Sequence, residues 1–416
     1  MQKRIVITGL GVVSPIGVGR DAFWSSLVNG KSGIKDISVF DTSKMSSKKG
    51  GEITDFDPVE ILDGINIAAL DRTAQLVCSA VKLGIDDAGL DWSGTQKSKT
   101  GLLFGSSFGH THTYSQFDRT HVSKGFLAAS AKDFANSVAI TNVGHASVMF
   151  GLEAFNGLVS MGQSSSLGAI NLGTSFIRLD RADMVFVGGV EVLYLENFLQ
   201  FYLADRLASS RDGQPEMCAP FDRRRNGTIL AEGSAVAILE EYEHAAARGA
   251  KVYGEILGYG TAFDPQFASR QKTTGKGLAK AMRLALNSAN LKPEEIDYIC
   301  AAGSSSTYED EVECSAIKEV FESALENVRV SAIKSMIGEC FSAAGVMQLC
   351  TSAIALNTGT IPPTVNYQDP DPNCGLPLSA EAQQGSFKTA MVNTLDDSGI
   401  AASLVIGRTT GDRLVA

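Results

Sequence analysis

Short apolar runs alternate with longer amphipathic stretches along almost the whole chain, and this alternation constrains the fold more than any other feature. The apolar runs predict strands at 5–8, 102–104, 158–161, 184–187, 228–239, 252–257, 296–301, 328–333, 390–393 and 401–406. Helical periodicity lies between them at 70–90, 167–179, 240–250, 276–288, 309–321 and 340–356. The pattern is typical of an α/β fold whose sheets are covered by helices.

Two segments far apart in the chain resemble each other. GQSSSLGAI at 162–170 and GECFSAAGV at 338–346 each follow a predicted strand and open a helix of small residues. Both place a glycine and then Gln or Glu at the turn. Two similar halves that meet near residue 250 would bring these helix starts face to face, although one such echo leaves a duplication open.

Charge and composition exclude several classes of function. Acidic residues outnumber basic ones by 46 to 36, and the net charge of −10 argues against a general nucleic-acid binder. The basic run 223–225 is better explained as a solvated or internally paired turn. No run reaches the ~18 apolar residues of a membrane span, and the first residues lack the pattern of a signal peptide. Seven scattered cysteines without a C-x-x-C pair predict reduced thiols in a cytoplasmic protein, and no cluster has metal-ligand spacing.

The stretch SMGQSSSLGAINLG at 160–173 predicts a strand, a tight turn and a helix. The free N–H groups of such a helix start lower the pKa of a thiol and stabilise an anion. The residue at that point is Gln163, whose amide neither ionises nor attacks a carbonyl. Serines 164–166 have no neighbouring His or Lys in the sequence to act as a base, so we expect them to cap the helix.

Two further glycine-rich stretches match known motifs only formally. GSSFG at 105–109 fits the nucleophile elbow of hydrolases, which also need an Asp and a His later in the chain. The chain has five histidines, His110, His112, His121, His145 and His244, and His244 is the only one beyond residue 145. A plain glycine-rich loop at a strand end is the better interpretation. GLGVVSPIG at 9–17 lacks the third glycine of a dinucleotide loop and predicts a turn made for close packing.

Six motifs, in order along the chain, resemble those of the β-ketoacyl-ACP synthases, which have the thiolase fold. They are VITGLGVVSPIG (6–17), VGGVE (187–191), APFDRRRNGTILAEGSA (219–235), KSMIG (334–338), SAAG (342–345) and IPPTVN (361–366). The resemblance implies two duplicated halves, here 1–250 and 251–416, that form a layered αβαβα core. It also implies an obligate dimer.

The same resemblance shows which catalytic groups are missing. A member of this family that condenses acyl chains uses a cysteine and two histidines, where this chain has Gln163, Ala302 and Glu339. The family's lysine remains as Lys334. The family's mobile glycine-rich loop is also rewritten, because LDDSGIA follows Thr394 at 395–401. We therefore expect no condensation by this chain alone.

Two functional hypotheses follow from the resemblance. The first is a chain length factor, the non-catalytic partner of an active ketosynthase in a type II polyketide synthase, which shapes the tunnel for the growing chain. The second is a decarboxylase with the same G-Q-S-S-S run, which makes an acyl starter from malonyl-ACP. The first is favoured, because decarboxylation needs the two absent histidines and an ionised Glu339 would repel an enolate. A stand-alone scaffold is a third, weaker possibility.

The resemblance also assigns partners and further positions. The partners are a catalytic ketosynthase and an acyl carrier protein, which brings the phosphopantetheine; no cofactor of the chain's own is expected. The tunnel gate is placed at His110, Thr113, Phe117 and Phe134. The dimer interface is placed around Phe155, Leu158, Val159 and Met161.

Overall fold

The computed structural model describes residues 3–95, 97–128, 130–210, 213–270 and 274–409. Within them, ten principal strands form the main sheet. The first five are β1 (Ile5–Ser14), β2 (Thr100–Gly105), β3 (Asn156–Val159), β4 (Met184–Glu191) and β5 (Gly233–Glu241). The second five are β6 (Gly254–Phe263), β7 (Tyr298–Cys300), β8 (Arg329–Ser331), β9 (Thr389–Leu395) and β10 (Ile400–Gly407).

The two sets of five strands have the same topology. The spatial order is β3-β2-β4-β5-β1 in the first set and β8-β7-β9-β10-β6 in the second. In each set the first three strands of that order are parallel and the last two are joined by antiparallel pairings. The sets meet where β1 pairs with β6, through Val6–Glu255 and Ile7–Gly254. The duplication that the resemblance implies is therefore confirmed, while the boundary at residue 250 stays a prediction.

Six helices complete the layers. They are α1 (Arg72–Asp87), α2 (Thr141–Phe150), α3 (Ser165–Arg178), α4 (Lys276–Ala289), α5 (Thr307–Phe321) and α6 (Ser342–Thr358). Helices α3 and α6 contact strands of both sets and each other, so they lie between the two half-sheets. Helices α1 and α4 cover the outer faces. This is the layered αβαβα core that the resemblance implied.

Paired glycines repeat the same close contact in both halves. A Cβ on Gly11 of β1 would lie 2.0 Å from the carbonyl oxygen of Ala80 in α1, and one on Gly260 of β6 would lie 2.1 Å from that of Ala281 in α4. Only glycine lets the strand and helix backbones approach this closely. The 9–17 stretch thus serves close packing, as predicted, but it is mostly strand rather than turn, because β1 continues to Ser14.

The remaining elements lie outside the layers. Helices occur at Arg20–Val28, Pro58–Ile61, Thr111–Lys124, Ala131–Asn136, Leu195–Leu203, Tyr242–Ala247, Pro265–Ala268 and Lys334–Ile337. Short strands occur at Gly17–Val18, Ile34–Asp36, Lys49–Gly51, Thr360–Ile361 and Gln383–Gln384, and the first of these pairs with the end of β1. Every predicted strand and helix overlaps an observed one. The strand predicted at 228–239 starts only at Gly233, because residues before it form isolated bridges to distant segments.

Candidate functional site

The turn before α3 is held by its serines, although not in the way that the sequence predicted. Ser165 Oγ accepts a hydrogen bond from Met161 N at 2.8 Å and donates one to Gly162 O at 2.5 Å. Ser164 Oγ pairs with Thr394 Oγ1 at 2.9 Å. The N-cap residue, Ser164, makes no side-chain cap bond to the helix. The capping prediction is therefore wrong: the hydroxyls brace the turn and tie it to the end of β9.

Gln163 is buried at this turn, and its backbone N–H is hydrogen-bonded to a carboxylate. Its N–H donates to Asp396 Oδ2 at 2.8 Å, while the side-chain Oε1 is buried without a hydrogen-bond partner in the described part of the chain. A Cβ on Gly162, whose φ is +58°, would lie 1.7 Å from Asp396 Oδ2, so only glycine allows this approach.

Asp396 belongs to the loop between β9 and β10. Its backbone N–H donates to Ile400 O at 2.8 Å, and its Oδ1 accepts from Ser398 N at 2.9 Å and also from the Ser398 hydroxyl. The carboxylate therefore has donors on both oxygens, one of them at the start of α3, where negative charge is stabilised. The sequence signal for this residue was available, since LDDSGIA has two acids where the resemblance implies a glycine-rich loop.

Lys334 and Glu339 form a buried ion pair on the second half. Lys334 Nζ donates to Glu339 Oε2 at 2.6 Å, and both side chains are 1% exposed. Glu339 Oε1 accepts a hydrogen bond from the N–H of Phe341, directly before α6, at 2.8 Å, so the same side chain also holds the start of that helix. Burial raises the pKa of Glu339, which Lys334 opposes. Burial has the largest single effect on the pKa of Lys334 and lowers it, but the carboxylates of Glu339, Glu309 and Glu313 together outweigh burial, so the pKa of Lys334 is raised.

Ala302 carries no chemistry but is held in a polar frame. The N–H groups of Ala302 and Gly303 donate to the two oxygens of buried Glu313 at 2.9 and 2.8 Å. Asn393 Nδ2 approaches the same carboxylate at 3.4 Å, which links this loop to the end of β9. Buried Glu313 thus holds the backbone of this loop, and the side chain of Ala302 contributes only a methyl group.

Aromatic rings pack beside the turn, a feature that the sequence analysis missed. Phe341 lies 5.0 Å from Phe108 and 5.1 Å from Phe201 between ring centroids. The cluster lies close to the turn, since Ser342 Oγ, next to Phe341, donates to Gly162 O at 3.2 Å. No motif in the sequence brings these three residues together.

The loop 105–109 is organised by Glu191 rather than built as a nucleophile elbow. The carboxylate of Glu191, at the end of β4, accepts bonds from Ser106 Oγ at 2.8 Å and from the N–H groups of Ser107 and Phe108 at 2.9 and 3.0 Å. Burial raises the pKa of Glu191, and these donors oppose that rise. The interpretation of 105–109 as a plain loop is supported.

Three of the histidines contact residues other than Gln163, Ala302 and Glu339. His112 stacks on Tyr194 and bonds Glu196, His145 bonds Asn136, and His244 bonds Glu240. The basic run 223–225 is internally paired as predicted, with Asp369, Asp222 and Asp371 as the partners of its three arginines. No group of three or more potential metal ligands occurs among the described residues.

The predicted gate residues lie on or beside the helix Thr111–Lys124. His110 is its N-cap, Thr113 Oγ1 donates to Asp71 Oδ2 at 3.0 Å, and half-buried Phe117 lies 5.7 Å from Phe134, which is 60% exposed. The structure brings Phe117 and Phe134 together, while the hydroxyl of Thr113 is held within the chain. Their role as a gate stays a prediction.

The predicted interface residues lie along β3 and its ends. Phe155, Leu158, Val159 and Met161 are all half-buried. Phe155 packs on Phe176 with centroids 4.2 Å apart. β3 is the outermost strand of its set, and the assignment of these residues to an interface stays a prediction.

Comparison with known proteins covers nearly the whole chain. Residues 2–245 match the family model described as "Beta-ketoacyl synthase, N-terminal domain", and residues 253–368 match "Beta-ketoacyl synthase, C-terminal domain". The 3-oxoacyl-(acyl-carrier-protein) synthase 2 of Coxiella burnetii is 32% identical over 411 residues, 98% of this chain and 99% of the relative. The tetracenomycin polyketide synthase ketoacyl synthase alpha subunit of Streptomyces glaucescens is 35% identical over 384 residues, 90% of each chain.

Two solved structures are similar over their whole length. The ishigamide ketosynthase/chain length factor has a TM-score of 0.91 at 27% identity and covers 99% of this chain and 100% of that one. The AntDE:AntF complex, a type II polyketide synthase acyl-carrier protein with its ketosynthase, has a TM-score of 0.90 at 27% identity with the same coverage. Among the described residues, no helix has the length and apolar character needed to cross a membrane.

Proposed function

This chain belongs to the beta-ketoacyl synthase family, and we propose that within it the chain is a non-catalytic chain length factor of a type II polyketide synthase. It pairs with an active ketosynthase in the cytoplasm and contributes walls to the tunnel that receives the growing chain from an acyl carrier protein. Each condensation occurs in the partner.

One observation carries the proposal: the backbone N–H of Gln163 donates a hydrogen bond to Asp396 Oδ2 at 2.8 Å and is therefore not free for a substrate. In acyl transfer, such an N–H at a helix start stabilises the oxyanion that develops on the attacked carbonyl. Here a carboxylate already holds it, so a thioester carbonyl meets negative charge instead of a donor. Gln163, Ala302 and Glu339 add no nucleophile and no imidazole to the three positions.

The same observation weighs against the decarboxylase hypothesis. Decarboxylation leaves an enolate whose oxygen needs hydrogen-bond donors. The N–H of Gln163 already donates to Asp396, and buried Glu339 puts a carboxylate where the family has a histidine, which would repel the enolate if ionised. The Nζ of Lys334, the remaining cation there, is already bonded to Glu339. The G-Q-S-S-S run alone therefore does not favour an independent activity.

The surface around β3 supports pairing with another subunit. An outermost strand presents unpaired N–H and C=O groups to a partner strand. Val148 of α2 is 86% exposed and Leu172 of α3 is 38% exposed, on the two helices that pack against β3. Tyr114, Val122, Leu127 and Phe134 add exposed apolar side chains in the segment 111–134. An apolar surface of this kind is typical of an obligate interface.

The test is to produce the chain alone and together with a ketosynthase that has its cysteine and both histidines. We expect a stable heterodimer by size-exclusion chromatography with light scattering, and polyketide formation from malonyl-ACP by the pair. The chain alone should leave malonyl-ACP unchanged. Turnover of malonyl-ACP by the lone chain, or a covalent acyl group on its Ser164, would contradict the proposal.

A further inference from the structure

Four charged side chains from distant parts of the chain meet beside the loop that carries Asp396. Arg206 follows the helix Leu195–Leu203, Arg270 follows Pro265–Ala268, Glu309 lies in the first turn of α5, and Asp397 is next to Asp396. The guanidinium of Arg206 bonds Glu309 Oε1 at 2.9 Å and also bonds the Asp397 carboxylate. Arg270 lies 3.9 Å from Glu309 Oε1 and 3.7 Å from Asp397 Oδ1. We name these four residues the charged latch.

The guanidinium groups of both arginines of the charged latch lie over aromatic rings. The guanidinium of Arg206 lies 4.7 Å from the ring centroid of Phe201, and that of Arg270 lies 5.5 Å from that of Tyr308. Two cations and two anions cancel in formal charge, and the carboxylate of Glu309 is nearly buried. Ion pairs in such a neutral, partly buried network are stronger than isolated pairs on the surface.

The charged latch connects directly to Gln163. Asp397 is held by the arginines, and its neighbour Asp396 is bonded to the N–H of Gln163. A cavity of about 90 Å³ lies against Arg206, Arg270 and Glu309 and is lined by polar groups such as Asn226 and Ser306. Pockets that enclose a small-molecule ligand usually measure about 300–1,000 Å³. The cavity is therefore too small for the thioester arm of a carrier protein.

We propose that the charged latch is a specificity device, which keeps the loop 395–399 pressed onto Gln163 and excludes carrier-bound thioesters from this subunit's own degenerate site. The inference rests on the proposed function, because exclusion matters when a partner subunit must receive every thioester. Arg206 and Arg270 are positioning residues in this scheme: they hold Asp397, and Asp397 holds the loop.

The test measures access to position 163 with a thiol, so it needs no partner and no catalysis. All seven native cysteines are buried, so the unmodified chain gives a low background with N-ethylmaleimide. The full-length chain with Gln163→Cys is labelled under native conditions, and the rate is followed by mass spectrometry of the peptide that contains position 163. A second chain adds Asp397→Ala, and a third adds Arg206→Gln with Arg270→Gln. The matched control adds Asp369→Ala, which removes an exposed ion pair with Arg223.

We expect the introduced thiol to react at least about tenfold faster once the charged latch is broken by either route, because local opening of the loop then costs less free energy. The Asp369→Ala chain should keep the slow rate. Circular dichroism and the unfolding midpoint show whether each chain is folded.

Two outcomes would overturn the inference. One is fast labelling of the introduced thiol while the charged latch is intact, and the other is an unchanged slow rate in both folded latch variants. Because the labelling is independent of any ketosynthase, its failure leaves the heterodimer test untouched, and the reverse also holds.

Discussion

Lys334 and Glu339 are charged residues at 1% exposure, and each depends on the other for solvation. Removing one member of a buried pair leaves an uncompensated charge and costs about 3–5 kcal/mol. We expect Glu339→Gln to lower the free energy of unfolding by about this amount, since Gln keeps the shape but strands the Lys334 ammonium. Urea denaturation monitored by circular dichroism gives the value.

A charge-free double variant, Lys334→Met with Glu339→Gln, is the control for that prediction. Removing both charges together leaves no uncompensated buried charge, so the double variant should regain most of the lost stability. Two outcomes would contradict the prediction: a cost of under about 1 kcal/mol for Glu339→Gln alone, or a double variant that is the less stable of the two. Either would show that the charge of Lys334 does not depend on Glu339 for its compensation.

Asp310 gives a pH prediction. Burial raises the pKa of Asp310 to about 7, although Arg225 and the N–H of Phe221 oppose the rise. The folded state thus keeps a proton that the unfolded chain loses near pH 4. The resulting stabilisation is complete at acid pH and disappears as the pH rises through 7, by about 4 kcal/mol at most.

Asp310→Asn removes this titration. Asp310 accepts the backbone N–H groups of Phe221 and Ser304, one on each oxygen, and an amide fits these two donors less well. The variant is therefore less stable overall, but the difference from the parent should shrink as the pH rises from 5 to 8. Urea unfolding at each pH measures it. A difference that is constant or grows with pH would show that Asp310 is ionised throughout this range.

At the scale of elements, the helix Thr111–Lys124 has a largely polar sequence that does not indicate where it packs. Its ring contact between Phe117 and Phe134 lies among exposed apolar residues rather than in the core. If this element ends the tunnel, Phe117→Ala should lengthen the polyketide made by the pair, since each further methylene gains ~0.8 kcal/mol on burial. Mass spectrometry of the products measures this.

Val122→Ala on the same helix, which is 76% exposed in the lone chain, is the matched change for that experiment. It removes a similar kind of apolar group from a different face of the helix and should leave the chain length unchanged. An identical product spectrum from a folded Phe117→Ala pair would remove Phe117 from the gate.

At the scale of the whole molecule, the prediction concerns the surface around β3. Val148→Asp with Leu172→Asp places charges on both sides of the outermost strand, and we expect the affinity for the ketosynthase to fall by at least about tenfold. The lone chain should stay folded and lose no more than about 2 kcal/mol of its free energy of unfolding, because Val148 is 86% exposed and Leu172 is 38% exposed. Analytical ultracentrifugation of the mixture gives the affinity.

Leu284→Asp is the control for the interface prediction. Leu284 is 40% exposed and lies on α4, in the second half of the chain. The same charge there should not affect pairing. Loss of pairing with Leu284→Asp alone, or full pairing with the doubly charged variant, would place the interface elsewhere.

Much of this molecule was predictable because its signals are local. Apolar runs and helical periods located the strands and the long helices, and the paired turns at 162 and 338 indicated the duplication. Gln163, Ala302 and Glu339 were identified by their place within motifs. The helices Thr111–Lys124 and Thr141–Phe150 were missed, since their polar or small residues carry no strong periodicity.

What the sequence determined by itself is which residues, Gln163, Ala302 and Glu339, stand within the motifs and the order of the elements, because both depend on neighbours in the chain. What only the tertiary structure decided is which charges meet. Asp396 reaches Gln163 across 233 residues, and Arg206 reaches Asp397 across 191. Such contacts depend on how two half-sheets close around α3 and α6, and no local pattern encodes a distance between segments that far apart.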